Sequence, residues 1–253
     1  MRYILAKRHL PTLAHFASSN VLLAFDYDGT LASIASQPAR AQLRDRTRRL
    51  LIAVARRYPC IVISGRGRDD VEKRLADIPI WHVFGNHGLE PWSQTPTYAR
   101  RVRQWVDHLE RYLPLYSGLV IENKTYSLAI HYRHVRRKRQ VLKAINEAVI
   151  GLRGSRTLGG KQAVNLVHRD APHKGIVLER ARSLLACDCA IYVGDDDTDE
   201  DAFVVASRER LLSIRVGATR TSGARYYLKT QDEIDALLRH LVGLRPGRSG
   251  TGD

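Results

Sequence analysis

Two carboxylates one residue apart, Asp26 and Asp28, close a short apolar run and are followed at once by a glycine and a hydroxyl: Val21-Leu-Leu-Ala-Phe-Asp-Tyr-Asp-Gly-Thr30. Oxygen donors of this kind hold a hard cation, and one of the pair can also attack an electrophile. Three further polar sets share the arrangement. Ser64-Gly65-Arg66 ends the run Cys60-Ile-Val-Ile, and Asn86-His87-Gly88 follows Trp81-His-Val-Phe-Gly85. Asp195-Asp-Asp-Thr-Asp-Glu-Asp201 follows Ala190-Ile-Tyr-Val-Gly194, and Lys174 opens a helix between the last two sets. Acids with one lysine and one hydroxyl suit phosphoryl transfer. The acids hold Mg²⁺ and supply a nucleophile, while the lysine and the hydroxyl bind phosphate oxygens. Each signal alone has a plain counterpart: an Asx-rich turn, a helix start with favourable dipole charges, a surface lysine. Their joint occurrence in order, each behind its own apolar run, argues for a site.

The elements that must position these residues follow from periodicity. The apolar runs are short enough for buried strands, and a buried strand cannot carry acids in its middle. The acids therefore mark strand exits, and in an open parallel sheet the carboxyl edge is where ligands bind. Helical spacing over 41–57 and at Val71, Leu75 and Ile78 alternates with the runs, which predicts a parallel sheet with crossover helices. The rhythm then changes. A helix over 97–113, strands Gly118–Asn123 and Thr125–Tyr132, a basic helix over 134–150 and strand-like 155–158 and 162–168 read as an inserted α+β unit. In it, alternation of Tyr126, Leu128, Ile130 and Tyr132 predicts an antiparallel sheet with one covered face. Parallel rhythm returns at His173 with a helix placing Ile176, Val177, Ala181, Leu184 and Leu185 on one side. A strand at 211–216 follows. Thr230-Gln-Asp-Glu233 resembles a capping box ahead of a helix with Ile234, Leu237, Leu238 and Leu241 facing in. The expected division is a core of 1–93 with 170–253 and an insert of 94–169. Residues 1–20 read as a leading helix or loose segment, and the stretch after Gly243 as a disordered tail.

Composition narrows the function classes. At 253 residues and 44% apolar content the chain can bury one core plus a smaller domain. No apolar run is long enough to span a membrane, and no secretory signal pattern opens the chain. Cys60, Cys187 and Cys189 have no zinc-like spacing, so reduced thiols and a cytoplasmic location are expected. The formal charge of +15 admits nucleic acid, an acidic membrane surface or anionic substrates as partners. The densest basic run, Arg133-His-Val-Arg-Arg-Lys-Arg139, lacks interleaved aromatics, which favours a solvated face over a nucleic-acid partner.

Asp26-Tyr-Asp28-Gly-Thr30, Ser64, Lys174 and Gly194-Asp-Asp-Asp-Thr-Asp199 resemble the four motifs of the haloacid dehalogenase-like (HAD) phosphohydrolases. Within that superfamily, Ile63-Ser-Gly-Arg66, Gly85-Asn-His-Gly88, Glu122-Asn-Lys124, Ser127-Leu-Ala-Ile-His-Tyr-Arg133, Gly160-Lys161 and Asp195 to Phe203 resemble the trehalose-6-phosphate phosphatases. The resemblance implies an α/β fold, a Rossmann-like parallel-sheet HAD core with an inserted α+β cap. It also implies a Mg²⁺-dependent hydrolase acting on trehalose 6-phosphate. Asp26 would be the nucleophile, giving an aspartyl-phosphate. Asp28 would protonate the leaving oxygen and then activate water, and Ser64 and Lys174 would grip the phosphoryl oxygens. Mg²⁺ would be held by Asp26, the Asp28 carbonyl and Asp195, with Asp196 and Asp199 nearby or through water. Arg66, Asn86, His87, Glu122, Lys124, His131, Arg133 and Lys161 would read the sugar. One stretch departs from the pattern. Where the family shows Glu-x-Arg-Pro, this chain has Asn165-Leu-Val-His168. An amide does not replace a glutamate toward sugar hydroxyls, so sucrose phosphate or mannosyl- or glucosyl-phosphoglycerate stays open as a substrate type. A basic nucleic-acid-binding protein on a degenerate scaffold is the reading from another class.

Overall fold

The computed structural model describes residues 1–34, 41–91, 96–113, 116–160 and 162–245. In chain order the first part holds β1 (Arg2–Tyr3), α1 (Leu10–Ser18), β2 (Val21–Phe25), α2 (Asp45–Ala55), β3 (Cys60–Ile63), α3 (Arg68–Arg74) and β4 (His82–Phe84). The middle holds α4 (Pro96–Tyr112), β5 (Val120–Asn123), β6 (Leu128–His131), α5 (Lys138–Ile150), β7 (Ser155–Gly160) and β8 (Ala163–His168). The last part holds α6 (Lys174–Leu184), β9 (Cys189–Gly194), α7 (Glu200–Phe203), β10 (Leu211–Val216), β11 (Tyr226–Leu228) and α8 (Ile234–Leu244).

Seven of these strands form one parallel sheet in the order β1-β11-β10-β9-β2-β3-β4. Its interior strand β2, between β9 and β3, is buried along its whole length. Val21, Leu23 and Phe25 pack with residues of α1, α2 and α8, while Leu22 and Ala24 pack with Val177, Leu178 and Ala181 of α6. Cover on both faces is why the run reads as continuously apolar rather than alternating. Register then places the chemistry. Phe25 pairs Val193 and Val62, so Asp26, Gly194 and the Ser64 loop emerge side by side at the carboxyl edge.

The middle segment builds a separate antiparallel sheet, β5-β6-β8-β7. Val102, Trp105 and Leu109 of α4, with Val141, Ile145 and Val149 of α5, cover Leu128, Ile130, Val164 and Leu166 on one face. The expected exposed face is also partly buried: Ala129 is fully covered and its neighbour Asn165 is 8% exposed. That face roofs a cavity over the core, which covers Ala129 and Asn165 while Val120 and the Glu122 side chain stay exposed at its rim.

Several expectations are corrected. Residues 1–20 contain, besides α1, the edge strand β1 paired with β11, and neither strand is long enough to show a period. On α6, Ile176 and Leu184 are exposed, and the buried stripe runs through Lys174, Val177, Leu178 and Ala181. The helix is turned so that Lys174 enters the site; a stripe at i, i+3, i+4 and i+7 then follows from helix geometry. Thr230 makes no side-chain cap. Glu233 instead accepts from Lys229 N at 2.7 Å and from the Tyr3 hydroxyl at 2.7 Å. Lys161, a predicted sugar reader, and the predicted tail beyond 245 lie outside the described residues.

Candidate active site

The strand exits converge as buried ions. Lys174 Nζ donates to Asp26 Oδ1 and to Asp199 Oδ1, each at 2.7 Å, and all three side chains are almost wholly buried. Asp26, Asp195 and Asp199 bring carboxylate oxygens within 4.8 Å of one another. Burial and the two neighbouring acids push Asp26 well above the usual carboxylate range, against the pull of Lys174. Lys174, placed between two carboxylates, is held above the ordinary lysine value despite its burial. Ionised together, three acids against one ammonium would leave two negative charges in a low-dielectric setting. A hard divalent cation with oxygen ligands has the charge and the donor preference this set needs.

Asp199 does a different job from the other two. Its Oδ1 accepts from Lys174 and from the Tyr192 hydroxyl at 2.6 Å, and its Oδ2 accepts from the main-chain N–H of Asp195 at 2.9 Å and Asp196 at 3.0 Å. These bonds hold it below the usual carboxylate value although it is fully buried. They also fold the acidic loop so that Asp195 and Asp196 face the cavity. Gly29, at φ +84°, permits the meeting of the two acidic loops: a Cβ there would stand 2.1 Å from Asp195 Oδ2.

Asp28 sits on the cavity wall in a two-pronged ion pair with Arg66, whose Nε and Nη2 donate at 2.6 and 2.7 Å. Asp70 accepts from Arg66 Nη1 at 2.9 Å and from Arg74 Nε at 3.0 Å, which fixes the guanidinium from behind. Ser64 is fully buried, and its Oγ accepts from Arg66 N at 3.1 Å. Asn86 is fully buried too. Its Oδ1 accepts from Ser127 Oγ at 2.5 Å and its Nδ2 donates to Lys124 O at 3.2 Å, so it ties the β5–β6 turn to the core. Ser64, Asn86 and Asp199 lie behind the cavity wall; Asp26, Asp28, Arg66, His87, Lys174, Asp195 and Asp196 lie on it.

The cavity encloses about 750 Å³ between the sheet edge and the insert. Glu122, Lys124, His131, Arg133 and Asn165 form its insert wall. Glu122 Oε2 meets His131 Nε2 at 2.8 Å, and Lys124 Nζ reaches Gly65 O at 3.1 Å. His87 is 6% exposed with both ring nitrogens buried and no hydrogen-bond partner among the described residues. Burial first, then Lys124, Lys174 and Arg156, lower its pKa well below the histidine norm, so the ring is neutral. A neutral imidazole there offers one donor and one acceptor to a ligand.

Sequence reading missed two supporting residues. Tyr192 is hidden inside an apolar run, and its hydroxyl announces no partner. Arg215, at the exit of β10, donates to Asp196 O at 3.1 Å and to Glu200 Oε1 at 2.7 Å. A lone cation inside the apolar run Leu211–Val216 was the available signal for the latter.

A family described as trehalose-phosphatase matches residues 24–232. The chain belongs to this family. A trehalose-phosphate phosphatase of Mycobacterium tuberculosis is 32% identical over 197 residues, which covers 72% of this chain and 50% of that protein. A probable trehalose-phosphate phosphatase of Oryza sativa is 29% identical, covering 88% of this chain and 66% of its own. The chain thus spans about half the length of the mycobacterial relative it matches. Among solved structures, the C-terminal domain of the Candida albicans trehalose-6-phosphate phosphatase is similar with a TM-score of 0.79 at 22% identity, covering 93% of this chain and 97% of that one. A phosphatase of the HAD superfamily from Bacteroides thetaiotaomicron is similar with a TM-score of 0.63 at 14% identity, covering 90% of this chain and 97% of that one. This trehalose-phosphatase family member therefore has the HAD-type parallel core with a cap-like second sheet. No helix among its described residues is long and apolar enough to cross a membrane.

Proposed function

We propose that the protein hydrolyses trehalose 6-phosphate to trehalose and phosphate through an aspartyl-phosphate on Asp26. The observation that carries this reading is the buried cluster of Asp26, Lys174, Asp195 and Asp199, opening into a cavity with a polar second wall. Residues 1–93 with 170–253 act as the catalytic core, and 94–169 as the cap that selects the sugar. Mg²⁺, held by Asp26, the Asp28 carbonyl and Asp195 with Asp196 at hand, would neutralise charge as a carboxylate approaches a phosphate dianion.

The side chains divide the remaining work. Lys174 keeps Asp26 oriented and meets the negative charge of the incoming phosphoryl group. Asp26 attacks phosphorus; the bond to the sugar oxygen breaks, and Asp28 delivers a proton to that oxygen. Asp28 then takes a proton from water as the water attacks the aspartyl-phosphate, by microscopic reversibility. Arg66 fills one acceptor site on each Asp28 oxygen and leaves the others for either transfer, which makes Arg66 the residue that aims the carboxylate. His87, Glu122, Lys124, His131 and Arg133 offer donors and acceptors to sugar hydroxyls. Three buried free thiols support a reducing compartment, the cytoplasm.

Asn165 on the cavity wall keeps the identity of the sugar an experimental variable. A panel of trehalose 6-phosphate, sucrose 6-phosphate, glucosyl-phosphoglycerate and glucose 6-phosphate, scored by phosphate release with and without EDTA, tests the reading. Trehalose 6-phosphate is expected to lead in kcat/KM, with activity lost in EDTA and restored by Mg²⁺. Equal rates on glucose 6-phosphate would sink the specificity, and EDTA-resistant turnover would sink the metal. Asp26→Asn is expected to lower kcat at least about 10³-fold in a folded protein. Salt-sensitive RNA binding without turnover would instead favour the nucleic-acid reading.

A further inference from the structure

A second cationic recess lies at the far edge of the core sheet. Arg2, Arg208, Arg225 and Tyr226, with Met1, line a hollow of about 320 Å³. Arg2 opens β1, Arg225 immediately precedes β11, and Arg208 lies in the turn that leads into β10. All three are at the amino ends of parallel strands, whereas Asp26 and Asp195 follow the carboxyl ends of β2 and β9. Six residues of β10 at about 3.3 Å each put roughly 20 Å between the two edges. The recess is therefore separate from the catalytic cavity.

Its charges are poorly met. Among the described residues, no ion pair includes Arg2, Arg208 or Arg225. Arg225 Nη2 is buried and donates to no acceptor among them. The backbone pins the cluster: Arg2 N donates to Arg225 O at 2.9 Å, and Arg225 N donates to Ser213 Oγ at 3.2 Å. Burial lowers the Arg225 pKa and repulsion from Arg208 adds to this, with Tyr226 and Glu209 opposing. Glu209 is itself exposed and bonded to Ser207, so it leaves the buried guanidinium donor unfilled. That atom faces the protein interior; an oxyanion in the hollow would instead meet the accessible arms of the three guanidinium groups through charge-assisted hydrogen bonds. Guanidinium forks match phosphate oxygens two at a time. Three cations lining one hollow favour a doubly charged anion over a single carboxylate. The volume admits a phosphate group and excludes a folded polymer.

We propose that this recess is a binding site for a phosphate dianion, distinct from the catalytic pocket, in which Arg225 and Arg208 grip the oxygens.

Equilibrium dialysis of the full chain with radiolabelled inorganic phosphate, in EDTA, tests this. Arg208→Met and Arg225→Met are each expected to remove one bound equivalent, or to weaken it at least tenfold. Mg²⁺-dependent phosphate release from trehalose 6-phosphate should stay within twofold of wild type. Arg208 is exposed, so its variant folds even where Arg225→Met does not. Arg136→Met, on the exposed insert surface, should leave phosphate binding unchanged. Wild-type stoichiometry and affinity in Arg208→Met would overturn the proposal. So would an equal loss in Arg136→Met, which would make the binding diffuse surface charge, or displacement by acetate at matched ionic strength as readily as by phosphate.

Discussion

Lys174 is the ion on which the site balances. Its ammonium lies 2.7 Å from each of two buried carboxylates, and it begins α6, so its position is set by a helix packed on the sheet rather than by a loop. Removing one partner of a buried ion set leaves uncompensated charge, at about 3–5 kcal/mol. Lys174→Met should therefore lower unfolding free energy by that amount in urea denaturation with EDTA present, and should lower turnover at least about 10²-fold. A loss below about 1 kcal/mol would mean that the two acids relax or protonate freely without it. The motif acids and this lysine were legible in sequence because their types are conspicuous beside apolar runs. Asp199 was legible as an acid but not in its task. Its oxygens are filled by Lys174, Tyr192 and two backbone N–H groups, a set brought together only by folding. Ser64 and Asn86 share that limit: the sequence marks them as polar residues at strand exits, and the fold turns both behind the cavity wall.

Elements were readable where they are long and covered on one or both faces. The strands β2, β3, β9 and β10 stand out as apolar runs, and α4, α5 and α8 by their stripes. The strands β1 and β11, of two and three residues, carry no period to find. The face of α6 was misjudged because spacing alone allowed several stripes, and the buried lysine chose among them. Arg215 shows what an element end can do. From the exit of β10 it bonds the Asp196 carbonyl and Glu200, so it braces the acidic loop without lining the cavity. Outer groups of this kind tune metal affinity by about 10–100-fold. Arg215→Met should raise the Mg²⁺ concentration for half-maximal activity about tenfold, with kcat at saturating Mg²⁺ within twofold of wild type. A magnesium titration of phosphate release decides it; an unchanged midpoint would assign the arginine to packing alone.

At the scale of the whole molecule, the two sheets meet through a small polar latch. Ser127 Oγ bonds Asn86 Oδ1 at 2.5 Å, Asn86 Nδ2 bonds Lys124 O, and Lys124 Nζ bonds Gly65 O. The β5–β6 turn is thereby held against the loops that follow β3 and β4, and the insert stands over the cavity that contains Asp26. Ser127 and Asn86 are buried, so losing the hydroxyl leaves the amide oxygen short of a donor at about 1–3 kcal/mol. That energy falls on the arrangement of insert against core in which the two residues meet. A substrate large enough to touch both walls needs that arrangement, whereas p-nitrophenyl phosphate needs only the core edge. Ser127→Ala should therefore raise KM for trehalose 6-phosphate about tenfold while kcat/KM for p-nitrophenyl phosphate stays within twofold. Steady-state kinetics on both substrates separates the cases. Equal losses would place the defect in the core, and no loss on either would show that the latch contributes nothing to holding the sugar.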